Sequence, residues 1–353
     1  MTKDAFDSID FGLLEPLLAD SDVMEIMVNS TEGVFVERRG KIEDAGVRFK
    51  DEEEIVTIAQ QIARAVGREW DDRLPMIDVR LPDGSRMNIV LRPVAINGPL
   101  LTLRKMSHMD LTWKQLVQFG SVSPEIVTFL QAVVRGRCNL VMAGGTGSGK
   151  TTIINALSEF IPHDERVVTV EQLASLQLRH PHVIGLETRP ADADCRGEVT
   201  LHDLVVNAQK MRPDRIISSD VRGVEAWQLL HVMSEGYDGS MFTIHATSVS
   251  DVLERLEMLS TAATNLPLLQ IRTRIAQGID VIAQQLRLRD GSRKIVAISE
   301  VVGLKNNVIE TQDIFRFEVT GEKDGRIQGQ FRKTGYVPSF ANLLDLPQEF
   351  YTL

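Results

Sequence analysis

The chain has 353 residues, a length that allows two domains, each with a hydrophobic core of its own. Hydrophobic residues make up 43% of it and charged residues 25%, which are ordinary proportions for a globular protein. Its formal net charge of −10 argues against a protein that coats nucleic acid, because phosphate backbones demand an excess of Lys and Arg. The charge balance leaves room for a local basic groove.

Cysteine usage and apolar runs bear on the cellular compartment. Cys138 and Cys195 are the only cysteines, so no CxxC pair exists and a zinc site of the four-cysteine kind is excluded. Two isolated thiols suit a reducing cytosol, and we expect Cys138 to be buried beside a strand. The N-terminus lacks the basic start and apolar core of a signal peptide, and no run of about 18 apolar residues could span a bilayer. We therefore expect a cytoplasmic protein that reaches membranes only through partners.

The first hundred residues alternate short strand-like and helical pieces. Strand-like runs occupy Glu25–Asn29 and Val34–Arg39, and apolar residues at helical spacing predict a helix over Asp51–Val66. The turn signals Asp83-Gly84 and Asn97-Gly98 each lie between further strand-like runs. This pattern predicts a small α+β domain built on an antiparallel sheet.

From residue 124 onward, short apolar runs alternate with helical stretches, which predicts a mainly parallel sheet with crossover helices. Beyond Asp290-Gly291 strands and turns return, which predicts a β-rich appendage at the C-terminal end. We place an N-terminal α+β domain at residues 1–107, a linker with a short helix at 108–123 and an α/β domain at 124–353. The predicted strands of the parallel part are Asn139–Ala143, Arg166–Glu171, Arg215–Asp220, Met241–His245 and Val281–Leu286, and those of the appendage are Lys294–Val302, Val308–Phe317 and Arg326–Arg332.

The segment Leu140–Thr152 reads LVMAGGTGSGKTT and contains the pattern G-x-x-x-x-G-K-[ST] of a phosphate-binding P-loop. Its glycines allow a turn so tight that successive N–H groups converge on a β-phosphate. Lys150 is predicted to reach the β- and γ-phosphates, and the Thr151 hydroxyl to hold Mg²⁺. A helix predicted over Thr151–Phe160 adds its dipole to the anion site. The predicted nucleotide-binding residues are Gly144, Gly145, Thr146, Gly147, Ser148, Gly149, Lys150, Thr151 and Thr152.

Three later strands end in residues that can take part in chemistry, namely Glu171, Asp220 and His245. In parallel α/β sheets ligands lie at the carboxyl ends of the strands, where these groups would converge beside Lys150. An acid there can position the Mg²⁺ shell or the attacking water, and a histidine can sense the γ-phosphate. Each of them alone has an ordinary structural interpretation, as a helix cap, a solvated acid or a packed histidine. Their order after a P-loop favours the catalytic one.

These residues and several further stretches resemble the secretion and pilus-assembly ATPases of type II/IV secretion, specifically their tight-adherence (Flp) pilus branch. The resemblance runs from about Leu14 to Phe340. Besides the P-loop, it rests on Val23–Asn29, Arg80–Arg86, Leu103–Lys105, Leu186–Arg189, Met211–Arg215, Asp238–Ser240 and Thr243–Ala246.

The resemblance implies an N-terminal α+β domain followed by a RecA-like P-loop domain, assembled into homohexameric rings that bind ATP and Mg²⁺. It implies that Arg80, Arg86 and Arg104 reach the phosphates, where guanidinium groups stabilise developing charge. Thr151 and Asp220 would hold the metal, in part through water. The implied partners are integral inner-membrane platform proteins, which would place the chain at the cytoplasmic face of that membrane. No nucleic-acid partner is expected.

The sequence departs from the family pattern at three boxes. The family's first acidic box usually reads Glu-Asp-x-x-Glu, but here Glu171 is followed four residues later by Ser175. The second usually reads Gly-Glu-Val-Arg, where this chain has Asp220 in place of Glu, and Tyr237 stands where the family has a histidine. Ser175 cannot act as a base near neutral pH, and a reacting group misplaced by about 1 Å can cost on the order of 10²-fold in rate.

Two main interpretations follow from the intact P-loop beside altered boxes. In the one we favour, the chain is a working hexameric ATPase, slowed by the changes, that drives subunit assembly or export. In the alternative, it binds ATP, hydrolyses it poorly and serves as a regulatory or structural ring subunit. A nucleic-acid translocase on the same core is a remote third, against which the acidic balance argues.

Overall fold

The computed structural model describes residues 9–38, 41–65, 75–81, 83–105, 111–191 and 195–352. The chain separates into two compact units. The first comprises Met1–Met109 with Ala191–Gly197, and the second Asp110–Pro190 with Glu198–Leu353. Over the described ranges, no helix has the length and apolar character needed to cross a membrane.

An antiparallel sheet forms the first unit. Its described strands lie in the order β3-β2-β1-β6-β5-β4. Buried and more exposed residues alternate along β4, β5 and β6, because only one face of the sheet packs on the core. The strands are β1 (Val23–Asn29), β2 (Gly33–Arg38), β3 (Lys41–Asp44), β4 (Met76–Arg80), β5 (Arg86–Val90) and β6 (Leu100–Arg104).

Two α-helices lie in the described part of this unit, the short α1 (Glu15–Ala19) and the longer α2 (Glu52–Ala65). Ile55, Ile58 and Ile62 recur at helical spacing and are buried in the same core as the strands. The helix predicted over 51–66 is thereby confirmed within the described residues, which stop at residue 65. Of the two predicted turns, the one at residues 83–84 joins β4 to β5, and the one at 97–98 ends a longer loop before β6.

A larger sheet forms the second unit. Its described strands lie in the order β15-β14-β13-β12-β7-β11-β10-β8-β9, and from β12 to β9 every neighbouring pair is parallel. The central strands β7 and β8 are buried along their whole length, as expected of a parallel sheet covered on both faces. The strands are β7 (Leu140–Gly144), β8 (Val167–Glu171), β9 (Val183–Glu187), β10 (Arg215–Val221), β11 (Met241–Ile244), β12 (Val281–Arg287), β13 (Arg293–Lys305), β14 (Val308–Lys323) and β15 (Arg326–Lys333).

Helices cover both faces of this sheet. One face packs against α4 and α5 and against the C-terminal segment that carries Phe340 and Tyr351. The other face packs against α6, α7, α8 and α9. The predicted parallel sheet with crossover helices is confirmed. The helices are α3 (Trp113–Gln118), α4 (Pro124–Arg135), α5 (Lys150–Leu157), α6 (Leu201–Gln209), α7 (Glu225–Met233), α8 (Val249–Ala263) and α9 (Leu268–Gly278).

The β-rich C-terminal end is present and is continuous with the parallel sheet. Strand β13 pairs antiparallel with β12, and β14 and β15 extend the same sheet outward. The strand β9, at the opposite edge, has no counterpart among the predicted strands. Its residues are only half-buried, so it lacks the fully apolar run by which the central strands were predicted.

The stretch between the two predicted domains contains the short helix that the sequence predicts. Helix α3 begins with a capping box in which Thr112 and Gln115 exchange hydrogen bonds. Trp113 anchors it, because its indole N–H donates to the carbonyl O of Ala156 at 3.1 Å and its ring stacks on Phe160. Residues 106–110, where the predicted domain boundary falls, lie outside the described residues.

Candidate nucleotide-binding site

The P-loop joins β7 to α5 in the second unit. Gly149 caps the amino end of α5 with a left-handed backbone (φ +100°), which favours glycine. At Gly144, a Cβ atom would lie 2.2 Å from the carbonyl O of Gln285 on the neighbouring strand β12. Both glycines of the motif are therefore required by the fold around the loop. The turn brings the amino end of α5 to the end of β7, and the N–H groups at a helix amino end are suited to binding an anion.

Lys150 is held inside the loop. Its Nζ donates to the carbonyl O of Gly144 at 2.9 Å and to that of Gly145 at 3.0 Å. Burial lowers the pKa of the Lys150 ammonium, the negative charge of Asp220 raises it, and the Arg222 charge lowers it further. The net direction is downward, and the Asp220 charge is the one influence that opposes it.

Parallel pairing carries the carboxyl ends of the central strands to one edge of the sheet. Strand β11 lies between β7 and β10, with Ile244 opposite both Ala143 and Val221, so His245 follows directly beside the P-loop. A cavity of about 370 Å³ opens at this edge. It is lined by the P-loop residue Thr146, by Arg222 and His245, and by Val221, Ile244, Arg255, Met258 and Leu259.

Asp220 lies near the end of β10 with a half-exposed carboxylate. That carboxylate accepts a hydrogen bond from the Arg222 guanidinium, which is itself exposed. The backbone of Asp220 is left-handed (φ +57°), and its N–H donates to the hydroxyl of Thr243 on β11 at 2.7 Å. Asp220 is thus an accessible acid with a left-handed backbone conformation at the sheet edge that carries the P-loop.

Glu171, at the end of β8, is in a different environment. The residue is 1% exposed, and its Oε2 accepts hydrogen bonds from the Ser219 hydroxyl (2.6 Å), the Ser175 hydroxyl (2.9 Å) and the Ser175 amide (2.7 Å). The amide of Leu176 donates to the same oxygen at 3.1 Å. These contacts hold the segment that follows β8 against Glu171, and Oε2 accepts four hydrogen bonds in all.

The three altered boxes do not lie together. Ser175 bonds to Glu171 at the end of β8 and Asp220 lies near the end of β10, so both belong to the carboxyl edge of the sheet. Tyr237 precedes β11 and lies at the amino edge, where its hydroxyl donates to the carbonyl O of Gln209 at 3.4 Å. Within this chain, Tyr237 is therefore placed away from the P-loop, in contrast to the grouping suggested by sequence order.

The three arginines singled out in the first unit form one row across its sheet. Arg80 is directly opposite Arg86, and Arg86 is directly opposite Arg104. Glu25 on β1 continues the row beside Arg104. Since residues directly opposite each other in neighbouring strands share a face of the sheet, the three arginines project from the same face.

Three residues that support this site were missed by the sequence interpretation. The Thr243 hydroxyl accepts a hydrogen bond from the Asp220 N–H, and the Ser219 hydroxyl donates one to the Glu171 carboxylate. The buried side-chain amide of Gln284 donates a hydrogen bond to the carbonyl O of Ala246, the residue after His245. A polar Gln284-Gln285 pair inside an apolar strand was a usable signal. No pattern in the sequence pointed to the hydroxyl contacts.

A P-loop at the carboxyl edge of a parallel sheet, with an acid and a histidine beside its lysine, defines a RecA-like P-loop ATPase. A family model described as "Type II/IV secretion system protein" matches residues 7–318. The chain belongs to this family, and it is an ATPase of the kind that drives secretion or pilus systems.

Individual relatives agree with this assignment. A putative conjugal transfer protein of Mycobacterium tuberculosis is 34% identical over 294 residues, which cover 82% of this chain and 83% of the relative. The type IV secretion system protein VirB11 of Brucella suis is 31% identical over 305 residues, which cover 78% of this chain and 84% of the relative. The X-ray structure of the Legionella pneumophila ATPase DotB has a TM-score of 0.55 at 18% identity, covering 81% of this chain and 78% of that one, and it supports the fold.

Proposed function

We propose that this chain hydrolyses Mg·ATP as one subunit of a homohexameric ring and uses the energy for subunit assembly or export by a type II/IV-like machine. The observation that carries the proposal is the placement of Asp220 and His245 at the same sheet edge as Lys150. A nucleotide bound by the P-loop would present its γ-phosphate to that edge.

The donor set beside the P-loop fits Mg²⁺. In the described ranges, no group of three or more His, Cys, Asp or Glu side chains could hold a metal by itself. Mg²⁺ in nucleotide sites is held instead by one or two protein oxygens together with phosphates and waters. The Thr151 hydroxyl in the first turn of α5 and the accessible Asp220 carboxylate are oxygens of this kind. Bound Mg²⁺ would neutralise charge on the phosphates.

We assign the chemistry to Asp220 and His245 and a supporting role to Glu171. Asp220 has an accessible carboxylate that can orient a water or hold the metal shell, and His245 can donate to the γ-phosphate. Glu171 is buried and bonded to Ser175 and Ser219, so it holds the loop after β8 in place. The row of Arg80, Arg86 and Arg104 would bind phosphate oxygens of the nucleotide.

Membership of the secretion family supports a proposal for the partners and the location of this chain. We propose that the ring acts at the cytoplasmic face of the inner membrane, against integral platform proteins, and that it needs no nucleic acid. The net charge of −10 supports the last point, since DNA-binding surfaces require excess positive charge.

One observation favours a second candidate, an ATP-binding ring subunit with impaired hydrolysis. Ser175 stands where the family pattern has a second glutamate, and its hydroxyl is engaged with Glu171. In this candidate, ATP binding alone would stabilise or regulate the ring.

Phosphate release distinguishes the two candidates. The full chain with Mg·ATP should release phosphate above the background of Lys150→Ala, while Lys114→Ala, which removes an exposed lysine on α3, should match the unaltered chain. Release equal to the Lys150→Ala background would overturn hydrolysis and leave the second candidate. Negative-stain images with ATP test the ring, and stimulation of turnover by DNA would contradict the absence of a nucleic-acid partner.

A further inference from the structure

The strand β10 carries a bulge at Asp220. In the pairing of β10 with β11, Ile217 and Ser218 lie opposite Met241 and Phe242, but Val221, not Asp220, lies opposite Ile244. Two residues, Ser219 and Asp220, therefore stand opposite the single residue Thr243. This two-against-one arrangement is a β-bulge, a feature found next to active sites because it redirects a side chain.

The burial pattern of β10 shows the effect of the extra residue. Side chains in a strand alternate between faces, so Ile216 and Val221, five positions apart, would face opposite ways in a regular strand. Both are instead buried in the core on the face of α6 to α9, while Ile217 is buried on the face of α4 and α5. The bulge has shifted the alternation by one residue at Asp220.

The bulge requires a substitute hydrogen-bond acceptor. The Asp220 amide has left the regular ladder, and its residue adopts the left-handed conformation (φ +57°), which is strained for most side chains and adopted most readily by Asn, Asp and Gly. The amide donates to the Thr243 hydroxyl at 2.7 Å. Thr243 is 1% exposed, so water does not compete for this contact.

We infer that Thr243 is a positioning residue for the proposed chemistry, because its buried hydroxyl holds the β10 bulge that aims the Asp220 carboxylate at the P-loop. The inference rests on the role proposed above for Asp220. Asp220 lies at the sheet edge that carries the P-loop, and its carboxylate pairs with Arg222, which lines the same cavity as Thr146 and His245. The Asp220 charge also raises the pKa of Lys150. Without the bulge, the alternation of the strand would turn Asp220 to the other face.

The hydroxyl can be removed with little change in shape. Thr243→Val keeps the volume but offers the Asp220 amide no acceptor, whereas Thr243→Ser keeps the acceptor. Asp220→Asn removes the charge and preserves the left-handed backbone, since asparagine also adopts it readily. These variants separate the acceptor, the side-chain volume and the acid.

The first measurement is the ratio of the Kd for ATP without Mg²⁺ to the Kd with Mg²⁺, obtained by fluorescence titration of the full chain. We expect Mg²⁺ to tighten ATP binding in the unaltered chain, and expect Thr243→Val and Asp220→Asn each to reduce that tightening at least fivefold. Thr243→Ser should stay within twofold of the unaltered chain. Binding of ADP without Mg²⁺ should stay within twofold throughout, because the P-loop itself is intact.

The second measurement is the rate of phosphate release. Thr243→Val should lower kcat at least tenfold and raise the KM for Mg·ATP by about the factor by which Mg·ATP binding weakens, and it should add no further loss to Asp220→Asn, because both changes act through the same carboxylate. If Thr243→Val does not fold, Thr243→Ser and Thr243→Ala isolate the hydroxyl, and Ser should retain at least fivefold more Mg²⁺-dependent tightening than Ala.

The outcomes distinguish the inference from the proposed function. If Asp220→Asn loses the Mg²⁺ response and Thr243→Val, or Ala relative to Ser, does not, the role of Thr243 is overturned and the proposed function stands. If Asp220→Asn leaves both measurements unchanged, the role proposed for Asp220 is overturned and the inference with it. If the unaltered chain releases no phosphate, hydrolysis is overturned, and the Mg²⁺ response still decides the role of Thr243.

Discussion

A buried ion pair at the amino edge of the larger sheet sets a quantitative expectation: Glu165→Ala should lower the free energy of unfolding of the second unit by about 3–5 kcal/mol. Arg215 begins β10 and is 0% exposed. Its Nε and Nη2 donate to the Glu165 carboxylate, and its Nη1 donates to the carbonyl O of Gly239 at 3.2 Å.

The magnitude follows from what the substitution leaves behind. Without Glu165, the buried Arg215 guanidinium keeps the Gly239 carbonyl but loses its counter-charge, and Arg137, which contacts the same carboxylate at 3.2 Å, loses it as well. Removing one partner of a buried pair costs far more than the pair contributes, because the remaining charge stays desolvated. In a unit of this size the midpoint of thermal unfolding moves by about 2–4 °C per kcal/mol, so we expect a fall of about 6–20 °C.

Differential scanning calorimetry of the full chain near pH 7 measures this shift. The matched control is Glu322→Ala in the same unit, which removes a pair with Arg289 at 2.6 Å whose side chains are 78% (Arg289) and 45% (Glu322) exposed. Such exposed pairs contribute about 0–1 kcal/mol, so the control should move the midpoint by at most about 4 °C. Equal, small shifts for the two variants would refute the claim that burial makes the Glu165 contact strong.

Three further predictions concern the thiols, the altered boxes and pH. Burial raises the pKa of the Cys138 thiol to about 12, whereas Cys195 is exposed. Iodoacetamide at pH 8 should therefore label one thiol in the folded chain and two in denaturant, as counted by mass spectrometry. Two labels in the folded chain would contradict this prediction. Ser175→Glu should raise phosphate release at least tenfold, which corresponds to about 1.4 kcal/mol of the barrier. Tyr237→His, at the opposite edge, should stay within twofold, and equal rates for both variants would show that position 175 is not catalytic. The pKa of the Asp290 carboxyl is lowered to about 2, chiefly by a hydrogen bond from the Ser292 hydroxyl and next by one from the Ile327 N–H of β15. Ionised Asp290 therefore stabilises the fold at pH values above its unfolded pKa near 3.9, and this contribution is lost as the pH falls through about 2. Asp290→Asn should therefore flatten the fall in stability between pH 4 and 2 in acid-unfolding curves, and an unchanged curve would contradict the assignment.

Local sequence determines the parts of the fold that repeat a simple pattern. The buried run Leu140–Gly144 and the glycines after it are explained by packing on both faces and by close backbone approaches, so the P-loop and its strand were predictable from the sequence. The same holds for α2, where apolar residues at helical spacing face the core. The ends of these elements shifted by only a residue or so from the predicted bounds.

Features that depend on contacts between strands could not be read from local sequence. The strand β9 is half-buried at a sheet edge, so its residues show no continuous apolar run. The bulge at Asp220 is visible only in the register of β10 against β11, and an alternation pattern alone would have placed Val221 on the wrong face. The placement of Tyr237 at the amino edge likewise depends on where β11 begins in space, rather than on sequence distance from His245.

The departures from the family pattern near Glu171 form one hydrogen-bonded unit. Ser175 stands where the pattern has a glutamate and Ser219 where it has a glycine, and their hydroxyls lie 3.3 Å apart while both donate to Glu171. A glycine could not donate this bond, and an ionised glutamate would bring a like charge to a buried carboxylate, which raises the pKa of one of the two acids. The two serines therefore replace a pair of acids by one acid with satisfied oxygens. Ser175→Glu should accordingly raise turnover and also lower the midpoint of thermal unfolding. The substitution removes the hydroxyl that donates to Glu171, and it places a second negative charge beside that carboxylate.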